Sequence, residues 1–254
     1  MGFIKRCAKG FYMSLGMFWA VPLPFHIWDD ASVDLMLPFF PLIGLFIGAL
    51  WWGIAALLVL SGVHIVLLSA VLMAIPFLLT GFLHLDGYMD TSDAVLSRRP
   101  LEDKLRILKD PHTGAFAVIM IGFLFVLQFG ATYAVVDGGK ALLPLIFIAV
   151  VSRCCASISL LCMKIMPQSG YANMMRQNAG ALHVGFVVVL LLAAAVVAYL
   201  LTGFVGLIVV GAVVLGYAGA LAYSRKEFKG VSGDLAGFSL VIGELCGLIA
   251  LAVV

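Results

Sequence analysis

Seven stretches of this chain, roughly 38–60, 63–83, 114–136, 141–166, 182–201, 203–223 and 236–254, are almost unbroken apolar sequence. A run of about 18 or more such residues can cross the hydrocarbon of a bilayer as a helix, which satisfies its own backbone where no water can. The chain is therefore read as one integral-membrane domain, residues 1–254, in the all-α class: a polytopic helix bundle of about seven transmembrane helices. Composition agrees, since 64% of residues are hydrophobic and 11% charged, well above the apolar share of soluble domains.

The connections alternate. Very short ones ("SG" at 61–62, "DGGK" at 137–140, "TG" at 202–203) face one side, and longer polar ones (84–113, 167–181, 224–235) face the other. Of the 15 Lys and Arg residues, all but Lys140 and Arg153 fall on the side of the N-terminus and the long loops. The excess of positive charge predicts that this side is cytoplasmic. A net charge of +2 with no basic stripe excludes nucleic-acid binding. The five cysteines have neither metal-ligand spacing nor a disulfide framework, and are read as small packing residues.

Residues 1–37 fit no span. "FYMSLGMFWAVPLPFHIW" is apolar but short and interrupted by Pro22 and Pro24. Lys5, Arg6 and Lys9 precede it as in a signal peptide, yet no small-residue cleavage site follows. An N-terminal interfacial or re-entrant segment is expected.

Where the second apolar run ends, "TGFLHLDGYMDTSDAVLSRR" places Asp86, Asp90 and Asp93 at i, i+4 and i+7. If the helix continues past Gly87, the three carboxylates share one face. They are either a solvated loop face or a site for a divalent cation. Their closeness to the last apolar position favours the cation, and clustered carboxylates supply the hard oxygen ligands that Mg²⁺ takes alongside water and phosphate. In "KDPHTG", Pro111 and Gly114 are turn residues that hold Lys109, Asp110, His112 and Thr113 together, and Gly114 opens a helix whose first amides are free. These groups, with Arg98, Arg99, Lys104 and Arg106, are candidates for phosphate contacts or simply serve topology. His84 and His112 are candidate proton acceptors. Arg153 and Glu244 sit inside apolar runs, where an ionisable group is costly unless it serves a site or a partner. They are read as substrate contacts or as a structural pair. Gly233 and Asp234 in "KGVSGDLAG" add close backbone approach and a fourth carboxylate on the same side.

"FPLIGLFIGA" at 40–49, "TGFLHLDGYMDTSDA" at 80–94, "LKDPHTGAF" at 108–116, "VSR" at 151–153 and "GVSGDLAGFSLVIGEL" at 230–245 together resemble the ordered motifs of the cobalamin synthase family, the adenosylcobinamide-GDP ribazoletransferases. The resemblance runs nearly end to end. It departs at Ala94, where the family commonly has Gly, and at Val241, where it commonly has a second acid. It implies a Mg²⁺-dependent, multi-pass enzyme of the bacterial or archaeal inner membrane, with its active site on the cytoplasmic side. The implied reaction joins adenosylcobinamide-GDP to α-ribazole or its 5′-phosphate and releases GMP, late in cobalamin assembly. It also implies Asp86, Asp90 and Asp93 as metal ligands and catalytic groups with His84. Lys109, Asp110, His112, Thr113, Gly114, Arg153, Gly233, Asp234 and Glu244 are then expected at the substrate. Further partners would be the lipid bilayer, a second copy of the chain, or other cobalamin-assembly enzymes.

Two other readings follow from the residues alone. One is a CDP-alcohol phosphotransferase or a prenyltransferase, although the DxxDG…G…DxxxD spacing of the former is absent. The other is a transporter with Arg153 and Glu244 along its path, which inverted repeats would favour. No such repeat is visible.

Overall fold

The computed structural model describes residues 2–254; Met1, the first residue of the expected domain, lies outside them. The chain forms eleven α-helices among the described residues: α1 (Phe3–Phe18), α2 (Met36–Leu60), α3 (Ile65–Leu79), α4 (Leu83–Leu96), α5 (Leu101–Ile107), α6 (Ala115–Asp137), α7 (Pro144–Cys162), α8 (Gly170–Arg176), α9 (Ala181–Thr202), α10 (Phe204–Phe228) and α11 (Gly233–Val253). Six of them, α2, α6, α7, α9, α10 and α11, are long and apolar enough to span a membrane, and α3 with α4 would make a seventh.

That seventh element differs from the single straight span expected over 63–83. The chain turns by 91° between α3 and α4. Gly81 and Phe82 both adopt left-handed backbone, with φ of 58° and 62°, a conformation that ends a helix and re-aims the chain. The Thr80 hydroxyl donates to the Pro76 carbonyl at 2.9 Å, and the Ala20 amide donates to the Leu79 carbonyl at 2.9 Å. The carbonyls freed at the break are thus partly satisfied. At about 1.5 Å per residue α3 reaches roughly 22 Å, short of the hydrocarbon thickness, and α4 runs beside the first turns of α6 and α11, with Asp93 against Gly114 and Gly87 against Asp234.

The N-terminal segment holds one amphipathic helix of 16 residues, α1, too short to span, followed by extended chain and a 3₁₀ helix at Asp30–Leu35. Lys9 pairs with Asp29 at 3.2 Å and Arg6 with Asp34, which pins α1 beside the start of α2. The interfacial reading fits this arrangement.

In lipid no hydrophobic force drives helices together, so close backbone approach carries the packing. A Cβ at Gly44 would meet the Ala149 carbonyl at 2.6 Å, and one at Gly48 the Ile146 Cα at 2.7 Å, so α2 and α7 touch through their backbones. Gly243 does the same toward Val213 on α10, where a Cβ would lie 3.0 Å from the carbonyl. The central helix α7 is buried along most of its length, whereas α6 and α9 turn Val126 and Leu200 outward, as lipid-facing helices do. It ends at Cys162, short of the expected 166, because the next residues extend. There Ile165 and Val231 form an isolated parallel bridge, with the Met166 amide donating to the Val231 carbonyl at 2.8 Å and the Val231 amide to the Lys164 carbonyl at 2.9 Å.

Candidate active site

Asp86, Asp90 and Asp93 all lie on α4, in a helix of their own and not in an extension of α3. Asp234 joins them from the first turn of α11, where Ser232 caps the helix by accepting from the Leu235 amide at 3.2 Å. Two glycines make the meeting possible. A Cβ at Gly87 would stand 2.9 Å from both the Cα and the carbonyl of Asp234, and one at Gly237 would stand 3.3 Å from the His84 carbonyl. Backbones therefore touch where α4 crosses α11, and the fourth carboxylate is drawn up to the other three.

The cluster is electrostatically tense. Asp86, Asp234 and Asp93 all lie close enough for their charges to act on the Asp90 carboxylate. Among the described residues, none of the four carboxylates has a basic partner in an ion pair. Their oxygens are hard donors, chemistry that fits a divalent ion. The side chains do not form a ready-made shell, since among the described residues no three His, Cys, Asp or Glu groups converge closely enough to hold a metal. Mg²⁺ needs only one or two carboxylates with water and substrate phosphate completing its shell, so the residues present fit that ion in company with substrate.

Gly114 has a role that its place at a helix start did not reveal. Any Cβ there would overlap the Asp93 carboxylate, so Asp93 lies directly against the N-terminus of α6. Lys109, Asp110, His112 and Thr113 form an exposed turn just before it. Asp110 accepts from the His112 amide at 3.0 Å and lies 2.7 Å from its Nδ1, and these contacts hold its carboxyl below the usual range. Lys104, a candidate phosphate ligand, is instead paired with Glu227, and Arg106 with Asp103 at 3.0 Å.

The family model described as cobalamin-5-phosphate synthase matches residues 10–252. The chain belongs to the cobalamin-5-phosphate synthase family. It is similar to the adenosylcobinamide-GDP ribazoletransferase of Clostridium botulinum (strain Alaska E43 / Type E3), 39% identical over 96% of this chain and 97% of the relative. The protein of the same name from Clostridium perfringens (strain ATCC 13124) is 36% identical over 99% of this chain and 100% of the relative, and that from Geobacillus kaustophilus is 32% identical over 95% and 94%. No solved structure matches the chain.

In this cobalamin-5-phosphate synthase family member, Arg153 and Glu244 do not join the carboxylate cluster. They form an ion pair with side chains only 1% and 5% exposed, and Glu244 lies ten residues along α11 from Asp234, about 15 Å at helical rise. Ser152 donates to the same Glu244 oxygen at 3.0 Å, and Arg153 donates to the Ala149 carbonyl at 3.1 Å. Of the two roles open to them, the structural pair is the one the geometry supports.

His84 is buried between aromatic rings, 5.6 Å from Phe40 and 6.4 Å from Phe18 between ring centroids. Among the described residues its Nε2 has no hydrogen-bond partner. It lines a cavity of about 310 Å³ that also touches Gly233 and Asp234. Phe18, Phe40, Gln168 and Tyr171 line the same cavity and were invisible to motif reasoning. Only the polar, glycine-bearing stretch "PQSGYANMMRQNAGA" could have drawn attention to its rim.

Proposed function

We propose that this chain transfers the cobinamide phosphate of adenosylcobinamide-GDP to α-ribazole or α-ribazole 5′-phosphate and releases GMP, on the cytoplasmic side of the inner membrane. The observation that carries the reading is the set of four carboxylates without basic partners, built by α4 and α11 at the end of the bundle that holds the long basic loops. The side follows from the positive charge of those loops.

Such chemistry depends on holding the reacting groups in line and on offsetting charge at the phosphoryl oxygens. Of Asp86, Asp90 and Asp93, one or two would hold Mg²⁺, with water and substrate phosphate completing its shell; when bound, the ion would supply positive charge to the diphosphate and to the departing GMP. Arg98, Arg99 and Lys109 have no acidic partner among the described residues and can meet phosphate oxygens as they enter. An acceptor hydroxyl attacks the cobinamide-linked phosphorus: its O–P bond forms as the P–O bond to GMP breaks. Asp234, which borders both the cluster and the cavity, takes the hydroxyl proton. His84, enclosed by Phe18 and Phe40 and lining the cavity, is placed to orient a ligand.

The test is GMP release from GDP-cobinamide by purified protein in lipid vesicles, with α-ribazole or its phosphate and with Mg²⁺ or EDTA. Release that requires acceptor and metal together is expected. Absence of release with both acceptors present would overturn the reading.

A further inference from the structure

We infer that the cavity enclosed by α1, α2, α4, α7, α8 and α11 receives the flat, two-ring aromatic base of the acceptor nucleoside, an inference that rests on the transferase reading above. The cavity measures about 310 Å³, at the small end of ligand sites. It has room for a fused heteroaromatic pair and none for a corrin macrocycle. Its walls are Leu37, Leu160, Leu240 and Met175 with the rings of Phe18 and Phe40, whose centroids lie 4.1 Å apart. Aromatic faces and a pliable thioether suit a planar, apolar guest.

One buried polar side chain breaks the apolar wall. His84 is 7% exposed and its Nε2 is left without a partner, an arrangement that native interiors rarely leave unexplained. The imidazole Nε2–H can donate to the unsubstituted ring nitrogen of a benzimidazole, the base carried by α-ribazole, whose other ring nitrogen bears the sugar. An acyl chain offers it nothing.

The position of the mouth strengthens the assignment. Asp234 lines the cavity and also acts on the charge of Asp90, so a base seated inside leaves its sugar beside the carboxylates, where an acceptor hydroxyl is needed. Gln168 and Ser169 at the rim are polar groups suited to that sugar.

The experiment is Ala172→Phe, which fills the cavity from the short helix α8, where Ala172 is buried against it. With protein in lipid vesicles, the KM for α-ribazole should rise at least about tenfold while that for GDP-cobinamide stays within about twofold. An unchanged KM for α-ribazole in a variant with the parent's melting temperature overturns the inference. Should that variant fail to fold, Ala172→Cys carries the test. Its modification by N-ethylmaleimide, followed on the individual peptide by mass spectrometry, should slow at least about fivefold in free benzimidazole and not in GDP. Protection by short-chain lipid without protection by benzimidazole would assign the cavity to an acyl chain and sink the proposal. A parent protein that releases no GMP refutes the transferase reading instead, and the labelling result still decides what the cavity takes.

Discussion

The Arg153 guanidinium and the Glu244 carboxylate are joined at the centre of the bundle, tying α7 to α11, with Ser152 hydrogen-bonded to both. In hydrocarbon such a pair is stable only as a pair, because each charge alone lacks water and partner.

Arg153→Met is accordingly expected to destabilise the protein by about 3–5 kcal/mol, the usual cost of stranding one member of a buried pair. Adding Glu244→Gln should recover a large part of that loss, because the stranded acid is gone. Thermal unfolding in detergent, with turnover measured alongside, checks it. An Arg153→Met variant that melts like the parent yet has no turnover would return Arg153 to the substrate.

Asp86→Asn and Asp90→Asn should each lower turnover by at least about a hundredfold, roughly 2.7 kcal/mol of transition-state stabilisation, with no loss of fold. Activity within about tenfold of the parent would show that these acids hold no essential metal.

Gly114→Ala should displace the Asp93 carboxylate and reduce activity with little change in melting temperature, because the surrounding turn is exposed. Gly87→Ala should cost stability as well, about 1–3 kcal/mol for overpacking, because there the obstacle is the Asp234 backbone. Equal effects of the two on stability would count against this distinction.

Cysteines introduced singly at positions 95–105 should react with impermeant reagents only from the cytoplasmic face of closed inner-membrane vesicles. Reaction only from the periplasmic face would invert the topology and remove the cytoplasmic assignment.

Much of this architecture could be read from residue pattern alone, because membrane helices announce themselves by length and apolarity. The acids of α4 were visible for the same reason: a charge beside a span needs an explanation. The bend at Gly81 and Phe82 was not, since Phe82 extends an apolar run and nothing in its side chain favours left-handed backbone. Nor was the role of Gly114, which depends on the position of Asp93, twenty-one residues earlier in the chain. Arg153 and Glu244 were recognisable as costly, but their partnership is a matter of helix rotation, which an apolar run all around its circumference does not specify. Phe18, Phe40 and Tyr171 carry no motif and acquire meaning only from the hollow they enclose.

The parallel bridge between Ile165 and Val231 ties two distant stretches of chain into one support. It sits three residues before Gln168 on one strand of backbone and three before Asp234 on the other, so the lip of the hollow and the carboxylate beside it share a yoke of two backbone hydrogen bonds. Cavity wall and acid cluster therefore take their positions from the same joint, and a change that loosens one loosens the other.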